Sequence, residues 1–340
     1  MSINRRKSDH LRISLHKPVN SADITTGLEN FYFIHRALPE ISLAEVDTST
    51  QFLGHGLGAP LLISPMTGGT EEAERINKNL AYAAQKYGLA MGVGSQRAAI
   101  EDPRWARTYY VRDVAPDILL FANIGAVQLN YGYGIDECKR AVEMIGADAL
   151  VLHLNPLQEA LQPEGDTDFS GLLRKIEVVC RELPVPVIVK EVGWGISEEV
   201  ARQLAQAGVA AIDVAGAGGT SWSLVEMHRA SDDIGKGVAA AFSDWGIPTA
   251  EAIIMARRGA PQLPLIASGG IRTGVDAAKA IALGADLVGM AAPFLKPATE
   301  SAEAVCAKVE EIITTLRIAM FCVGVKKVDG LKKAQLRRRA

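Results

Sequence analysis

The chain has only four cysteines in 340 residues, Cys138, Cys180, Cys306 and Cys322. They lie far apart and form no CxxC pair. This excludes a disulfide framework, argues against a structural zinc, and reads as reduced core thiols of a cytoplasmic protein. Long apolar runs are missing too. None approaches the ~18 residues a membrane span requires, and the first twenty residues carry no apolar signal-peptide segment, so neither a span nor secretion is expected. An excess of charge of one sign is also absent: 36 Lys and Arg against 39 Asp and Glu give −3, with no global pull toward nucleic acid.

What is present is apolar residue in quantity. At 48% hydrophobic and 22% charged the chain can bury a large core. One barrel of roughly 250 residues with extensions accounts for it better than two unrelated domains. The strands read as short apolar runs without alternation, the pattern of parallel strands buried on both faces. They are residues 61–66, 89–95, 118–124, 149–155, 186–192, 211–216, 265–267 and 287–290. Between them fall amphipathic helical patterns at 76–87, 135–145, 171–181, 198–207 and 275–283. Eight alternating units argue for a closed (β/α)8 barrel, of α/β class, over a doubly wound sheet. Residues 1–58 then form an N-terminal extension, 59–325 the barrel and 326–340 a basic tail, expected as a helix or frayed end. Residues 31–57 read as loop. The interval between the sixth and seventh strands is about twice the others, so residues 217–249 are expected as a functional insertion, a lid over the mouth.

The end of the chain carries the clearest chemical signal. Gly269-Gly270 follows the seventh strand and Ala291-Ala292 the eighth, where barrels of this kind commonly hold a phosphate against bare amides and a helix N-terminus. An ordinary tight turn is the alternative. Active-site residues of the fold sit at strand C-terminal ends. Collected there are Met66, Thr67, Gly68, Ser95, Arg97, Asn123, His153, Asn155, Gln158, Glu159, Lys190, Thr220 and Ser221. Amides and hydroxyls dominate, with one lysine, which suits a flat, heteroatom-rich cofactor with a phosphate tail; flavin mononucleotide fits, with Lys190 stabilising negative charge on a reduced ring. Lys190 as a Schiff-base lysine, His153 as a core histidine and Glu159 as a helix-start carboxylate remain open on these grounds. Glu159 could also hold Mg2+ together with water and a substrate phosphate. The basic run Arg5, Arg6, Lys7, His10, Arg12, His16 and Lys17 is either a solvated or disordered arm or a segment that folds over a polyanion.

Several motifs together are specific. Arg6-Lys7 with His10, residues 37–40 (Ala-Leu-Pro-Glu), 64–69, 94–97, the His153-Leu154-Asn155-Pro156-Leu157-Gln158-Glu159 run, Lys190-Glu191-Val192-Gly193, Gly218-Gly219-Thr220 and residues 268–272 are present together. In these the chain resembles the type 2, FMN-dependent isopentenyl diphosphate isomerases over nearly its whole length. The resemblance implies interconversion of isopentenyl and dimethylallyl diphosphate with reduced FMN, Mg2+ and NAD(P)H as reductant. It also implies a cytoplasmic homo-oligomer, a tetramer or octamer. By the same resemblance, Met66, Thr67, Gly68, Ser95, Asn123, Lys190, Thr220, Gly269, Gly270, Ala291 and Ala292 hold FMN. Arg6, Lys7, His10, Arg97, Asn155 and Gln158 hold substrate, Glu159 holds the metal, and Gln158 and His153 take part in the chemistry. Moving a double bond adds one proton and removes another with no net redox change, so reduced flavin is the leading acid/base and Gln158, an amide of negligible basicity, a positioning group or water relay. The competing readings are an FMN oxidoreductase of the hydroxy-acid oxidase or dihydroorotate dehydrogenase kind and a non-catalytic phosphate-binding scaffold.

Overall fold

The computed structural model describes residues 3–21 and 23–339. The chain opens with helix α1 (Ile3–His16), followed by the short strand β1 (Phe31–Phe33) and the hairpin β2 (Thr50–Phe52) and β3 (His55–Leu57). The barrel begins with β4 (Leu61–Ile63), α2 (Glu71–Tyr87), β5 (Ala90–Gly92), α3 (Arg97–Glu101), β6 (Leu120–Gly125) and α4 (Ile135–Ile145). It continues through β7 (Ala149–Leu154), α5 (Pro156–Leu161), α6 (Leu172–Glu182), β8 (Val187–Glu191), α7 (Glu198–Gln206) and β9 (Ala211–Asp213). Then come α8 (Trp222–Arg229), α9 (Asp233–Ala240), α10 (Thr249–Gly259), β10 (Leu265–Ala267), α11 (Gly274–Ala282) and β11 (Leu287–Met290). Helices α12 (Ala292–Glu300) and α13 (Ala302–Cys322) and strand β12 (Leu336–Arg338) complete it.

Strands β4 to β11 close into an eight-stranded parallel barrel, with Val288 of β11 in register with Leu61 of β4. The eight expected apolar runs are these eight strands: β10 and β11 match end for end, β6 starts two residues later and runs one further, and the other five are trimmed. Trimming has a physical reason: the residues past each strand turn away into the loops that line the mouth. Helix boundaries follow local chemistry as well. The Thr70 hydroxyl accepts from the Ala73 amide at the start of α2, three glutamates occupy the first turn, and Gly88 in the left-handed region ends it.

Three features depart from the sequence expectation, and a fourth, the insertion between β9 and β10, lies where it was expected. The basic arm is an ordered helix, α1, whose Leu11 and Ile13 are buried. Residues 31–57, expected as loop, contribute three strands. Of these, the β2–β3 hairpin sends Phe52 and Leu57 into the cluster of Leu62, Phe121, Val151 and Ile188, so it plugs the lower end of the barrel. The basic tail is neither helix nor frayed end: after a 3-10 turn, β12 pairs antiparallel with β1, Phe31 opposite Arg338. The extra length between β9 and β10 is two helices, α8 and α9, placed ahead of α10, which packs against α7 and β10 as an ordinary barrel helix.

One brace occurs twice. Arg112 donates to the carbonyls of Ala115, Pro116, Ile118 and Gly146 and to Asp148, which itself accepts from Leu120 N. Half a barrel away, Arg257 donates to Ala260, Pro261, Leu263 and Gly284 and to Asp286, which accepts from Leu265 N. Each guanidinium ties a helix-to-strand connection to the base of the next strand. Arg257→Ala strips several carbonyls of their donor and leaves Asp286 with Lys332 alone of its two cations, and should lower the unfolding free energy by about 2–3 kcal/mol in urea titrations. A loss within the ordinary range of surface substitutions would show that the brace does not hold the strand.

Candidate active site at the barrel mouth

Parallel register sets His153 beside Lys190 and Lys190 beside Asp213. Three titratable side chains therefore stand side by side at the C-terminal ends of β7, β8 and β9. A cavity of about 360 Å³ opens at this mouth, within the range of small-molecule sites. Arg6, Lys7 and His10 line it from α1, and Met66, Thr67, Gly68, Ser95, Arg97 and Asn123 from the first three strand ends. His153, Asn155, Gln158, Glu159 and Lys190 line it from the middle strands, and Thr220, Gly269, Gly270, Ala291 and Ala292 from the last. Ser221 is the exception among the residues collected from the sequence: its hydroxyl bonds Ser223 and its amide donates to Val19 O, so it ties the arm to the insertion.

One side of the cavity is a glycine-walled cradle. A Cβ on Gly219 would fall 2.4 Å from Gly270 N, so the loops after β9 and β10 touch backbone to backbone, which only glycine permits. The first turn of α11 is already filled by the Asp276 carboxylate, which accepts from Thr273 N. The start of α12 is different: Ala291 offers no side-chain cap, Pro293 carries no N–H and Phe294 N donates to Ala291 O, so the amides of Ala291 and Ala292 are what this turn offers an anion beside Gly269-Gly270. At the floor, a Cβ on Gly68 would lie 1.9 Å from Tyr109 Cε1, so glycine here makes room for a buried ring.

The opposite side holds amides and carboxylates. Asn123 Nδ2 donates to Val93 O at 3.1 Å, which turns its Oδ1 toward His153 Nδ1 at 2.8 Å. Nδ1 of His153 therefore carries the hydrogen. Burial, with the charges of Lys190, Lys7 and Arg6, pushes His153 down to about 3, so the ring is neutral and cannot serve as an imidazolium acid. Asn155 Nδ2 donates to Gln158 Oε1 at 3.1 Å and to Glu159 Oε1 at 2.8 Å, and Asp166 N donates to Glu159 Oε2 at 2.8 Å. Asn155 Oδ1 is buried without a partner. An orphaned amide oxygen beside a buried carboxylate suits a hard cation that takes oxygen ligands. Among the described residues no group of three or more His, Cys, Asp or Glu could hold a metal ion, so such a cation would need oxygens from a ligand to fill its shell.

The arm closes the top. Lys7 Nζ donates to Ser95 O at 2.6 Å and to the Tyr109 hydroxyl, which donates to Ser95 O at 2.8 Å. Arg6 donates to Gln162 Oε1 at 3.0 Å, while His10 Nε2 lies 2.9 Å from Glu226 and edge-on to Trp222. Glu226, 3% exposed on α8, also accepts from Gln162 and Arg229. His10 is thus engaged with a carboxylate, and Arg97 with Glu101 and Asp166. Tyr109, Gln162, Asp213 and Glu226 were not singled out in the sequence. Asp213 ends a barrel strand and could have been found by that rule; the other three lie off the strand ends, where nothing local marks them.

The FMN-dependent dehydrogenase family matches residues 3–117 and 155–338. A lactate oxidase from Pediococcus acidilactici superposes with a TM-score of 0.71 over 98% of this chain and 94% of that one at 19% identity, a likeness of fold. The isopentenyl-diphosphate delta-isomerase of a Synechococcus strain is 60% identical over 94% of this chain and 92% of its own length. That of a Nostoc strain is 57% identical over 96% and 93%. The chain belongs to the type 2, FMN-dependent isopentenyl-diphosphate delta-isomerase family.

Lys7 provides a direct test of how tightly the arm is buried. Burial, with the neighbouring Arg6 charge, lowers its pKa from 10.5 to about 7. Below pH 7 folded and unfolded chains both carry the proton and the full burial cost is present. Between 7 and 10.5 the unfolded chain binds more protons, so stability rises with pH. Lys7→Met removes this titration. The stability of the wild type relative to Lys7→Met should therefore climb from pH 7 to pH 9 in urea unfolding, and a flat difference would mean that Lys7 is solvated.

Proposed function

We propose that this enzyme interconverts isopentenyl and dimethylallyl diphosphate, with reduced FMN as the acid/base and Mg2+ holding the diphosphate. The observation that carries the reading is a cavity with two separate anion-binding ends: the glycine cradle at α12, and the arm cations facing the Asn155–Glu159 cluster. One end suits the phosphate of FMN, with Gly219, Gly269, Gly270, Ala291 and Ala292 around it. The other suits a diphosphate, met by Arg6 and Lys7 and by a cation on Glu159 and the unpartnered oxygen of Asn155. Bound reduced FMN supplies an electron-rich ring with an exchangeable proton site, which allylic proton relocation without net redox change needs.

The protein's own groups then have defined tasks. Met66, Thr67, Ser95 and Asn123 frame the ring, and Lys190 offers it a positive charge. Neutral His153, its Nδ1 hydrogen committed to Asn123, positions substrate without adding charge to the pocket. Gln158, held by Asn155, orients substrate or a water. Helix α1 keeps bulk water off a pocket in which charge develops on carbon. Its docking on α8 makes the arm and the insertion one cover. NAD(P)H as reductant, a cytoplasmic setting and a homo-oligomeric assembly belong to the same reading.

Incubation with isopentenyl diphosphate, Mg2+ and prereduced FMN should give dimethylallyl diphosphate over many turnovers for each reduction. Product limited to one equivalent of flavin, or oxidation of a hydroxy acid in its place, would favour the oxidoreductase reading. In Glu159→Gln the Mg2+ concentration for half-maximal activity should rise by about tenfold or more while FMN affinity holds. Unchanged Mg2+ dependence would remove Glu159 from the metal site.

A further inference from the structure

We infer that Asp213 is the positioning residue of the flavin site, setting how much positive charge Lys190 presents to the ring. The inference rests on the FMN reading above and concerns a residue outside the cavity lining. Asp213 is 1% exposed at the end of β9, in register with Lys190 on β8. Its Oδ1 accepts from Ser268 Oγ at 2.5 Å and from Ala215 N at 3.3 Å. Its Oδ2 lies 3.6 Å from Lys190 Nζ, an ion pair with no hydrogen bond, and is buried without a hydrogen-bond partner.

A buried carboxylate oxygen left in this state is costly unless the arrangement is used. Lys190 has three N–H donors. One goes to Glu191 O at 2.7 Å, and Asp213 draws the charge from behind without capturing a second. Donors therefore remain for a ligand in the cavity, while the pair as a whole is near neutral. Ser268, the other partner of Asp213, lines the cavity at the start of the Gly269-Gly270 turn. One carboxylate thus tethers the lysine proposed for the ring and the turn proposed for the phosphate, fixing the distance between the two ends of one cofactor.

The charge consequence has a definite sign. Neutralising Asp213 leaves Lys190 uncompensated, favouring an anionic reduced ring over the neutral oxidised one, and the midpoint potential of bound FMN should rise in Asp213→Asn. Lys190→Met should lower it. In the Lys190→Met background the carboxylate has no lysine charge left to modulate, so adding Asp213→Asn should move the potential by less than it does in the wild type. Asp213→Glu, which keeps the charge, should stay near the wild-type potential. If Asp213→Asn does not fold, Asp213→Ser takes its place with the same upward shift expected.

The potentials are read spectrophotometrically on FMN-loaded protein, after fluorescence titration has confirmed that each variant binds FMN. An upward shift that shrinks without Lys190 supports the inference. An unmoved potential in FMN-loaded Asp213→Asn, or an equal shift in both backgrounds, overturns it, as does a loss of melting temperature alone, which a purely structural aspartate would give. A wild-type chain that leaves added FMN free overturns the flavin reading itself, and this inference with it.

Discussion

The strand register of one half of the barrel governs everything else at the mouth. Parallel pairing of β6 through β9 aligns Gly125 with His153, His153 with Lys190 and Lys190 with Asp213, so groups from distant parts of the chain become neighbours without a loop having to find them. A slip of one residue in any pair would turn the side chain to the helix layer, because alternate residues of a strand face opposite ways. The buried row of Leu150, Val151, Leu152 and Ile188, Val189 behind it makes such a slip expensive. Site chemistry is therefore stabilised by the same apolar packing that closes the barrel.

Burial then decides the charge state of what the register has assembled. His153 is kept neutral by desolvation and by nearby cations, and Lys7 is brought to about 7 by the same two causes. Glu191, just past Lys190, is pushed up to about 7 by burial, against three amides at Val192, Gly193 and Trp194 that favour its charged form. These shifts depend on the cover: without α1 packed over the opening, water would reach the pocket and the positive charges of Arg6 and Lys7 would leave His153.

The sequence was readable where local chemistry is one-sided. Uninterrupted apolar runs such as 118–124 read as buried strands, and Gly269-Gly270 as either a tight turn or a place where backbone comes close to a ligand. All residues assigned to cofactor, substrate and metal line one cavity; the rule that strand C-terminal ends meet at the mouth collects those of the barrel, while Arg6, Lys7 and His10 follow only from the family resemblance. What stayed hidden depends on tertiary partners. A basic run such as 5–17 reads as solvated until Trp222 and Glu226 are there to pack against it. The apolar residues Phe52 and Leu57 give too short a pattern to announce a hairpin, and nothing in residues 336–338 says that β1 waits for them. Tyr109 is a core aromatic by composition and becomes part of the site only through Gly68 and Lys7.

The twin braces at Arg112–Asp148 and Arg257–Asp286 stand beneath β6 and β10, four strands apart in a ring of eight. Rotating the barrel by half a turn about its axis carries one onto the other, so its lower rim has an approximate dyad. Carried upward, that dyad relates the β6–β7 corner, where Asn123, His153 and Asn155 cluster, to the β10–β11 corner, where Ser268, Ala291 and Ala292 form the cradle. The two stations proposed for anions are thus antipodal, facing one another across the bore, and a ligand pair held between them would be stretched along a diameter and not stacked on one wall.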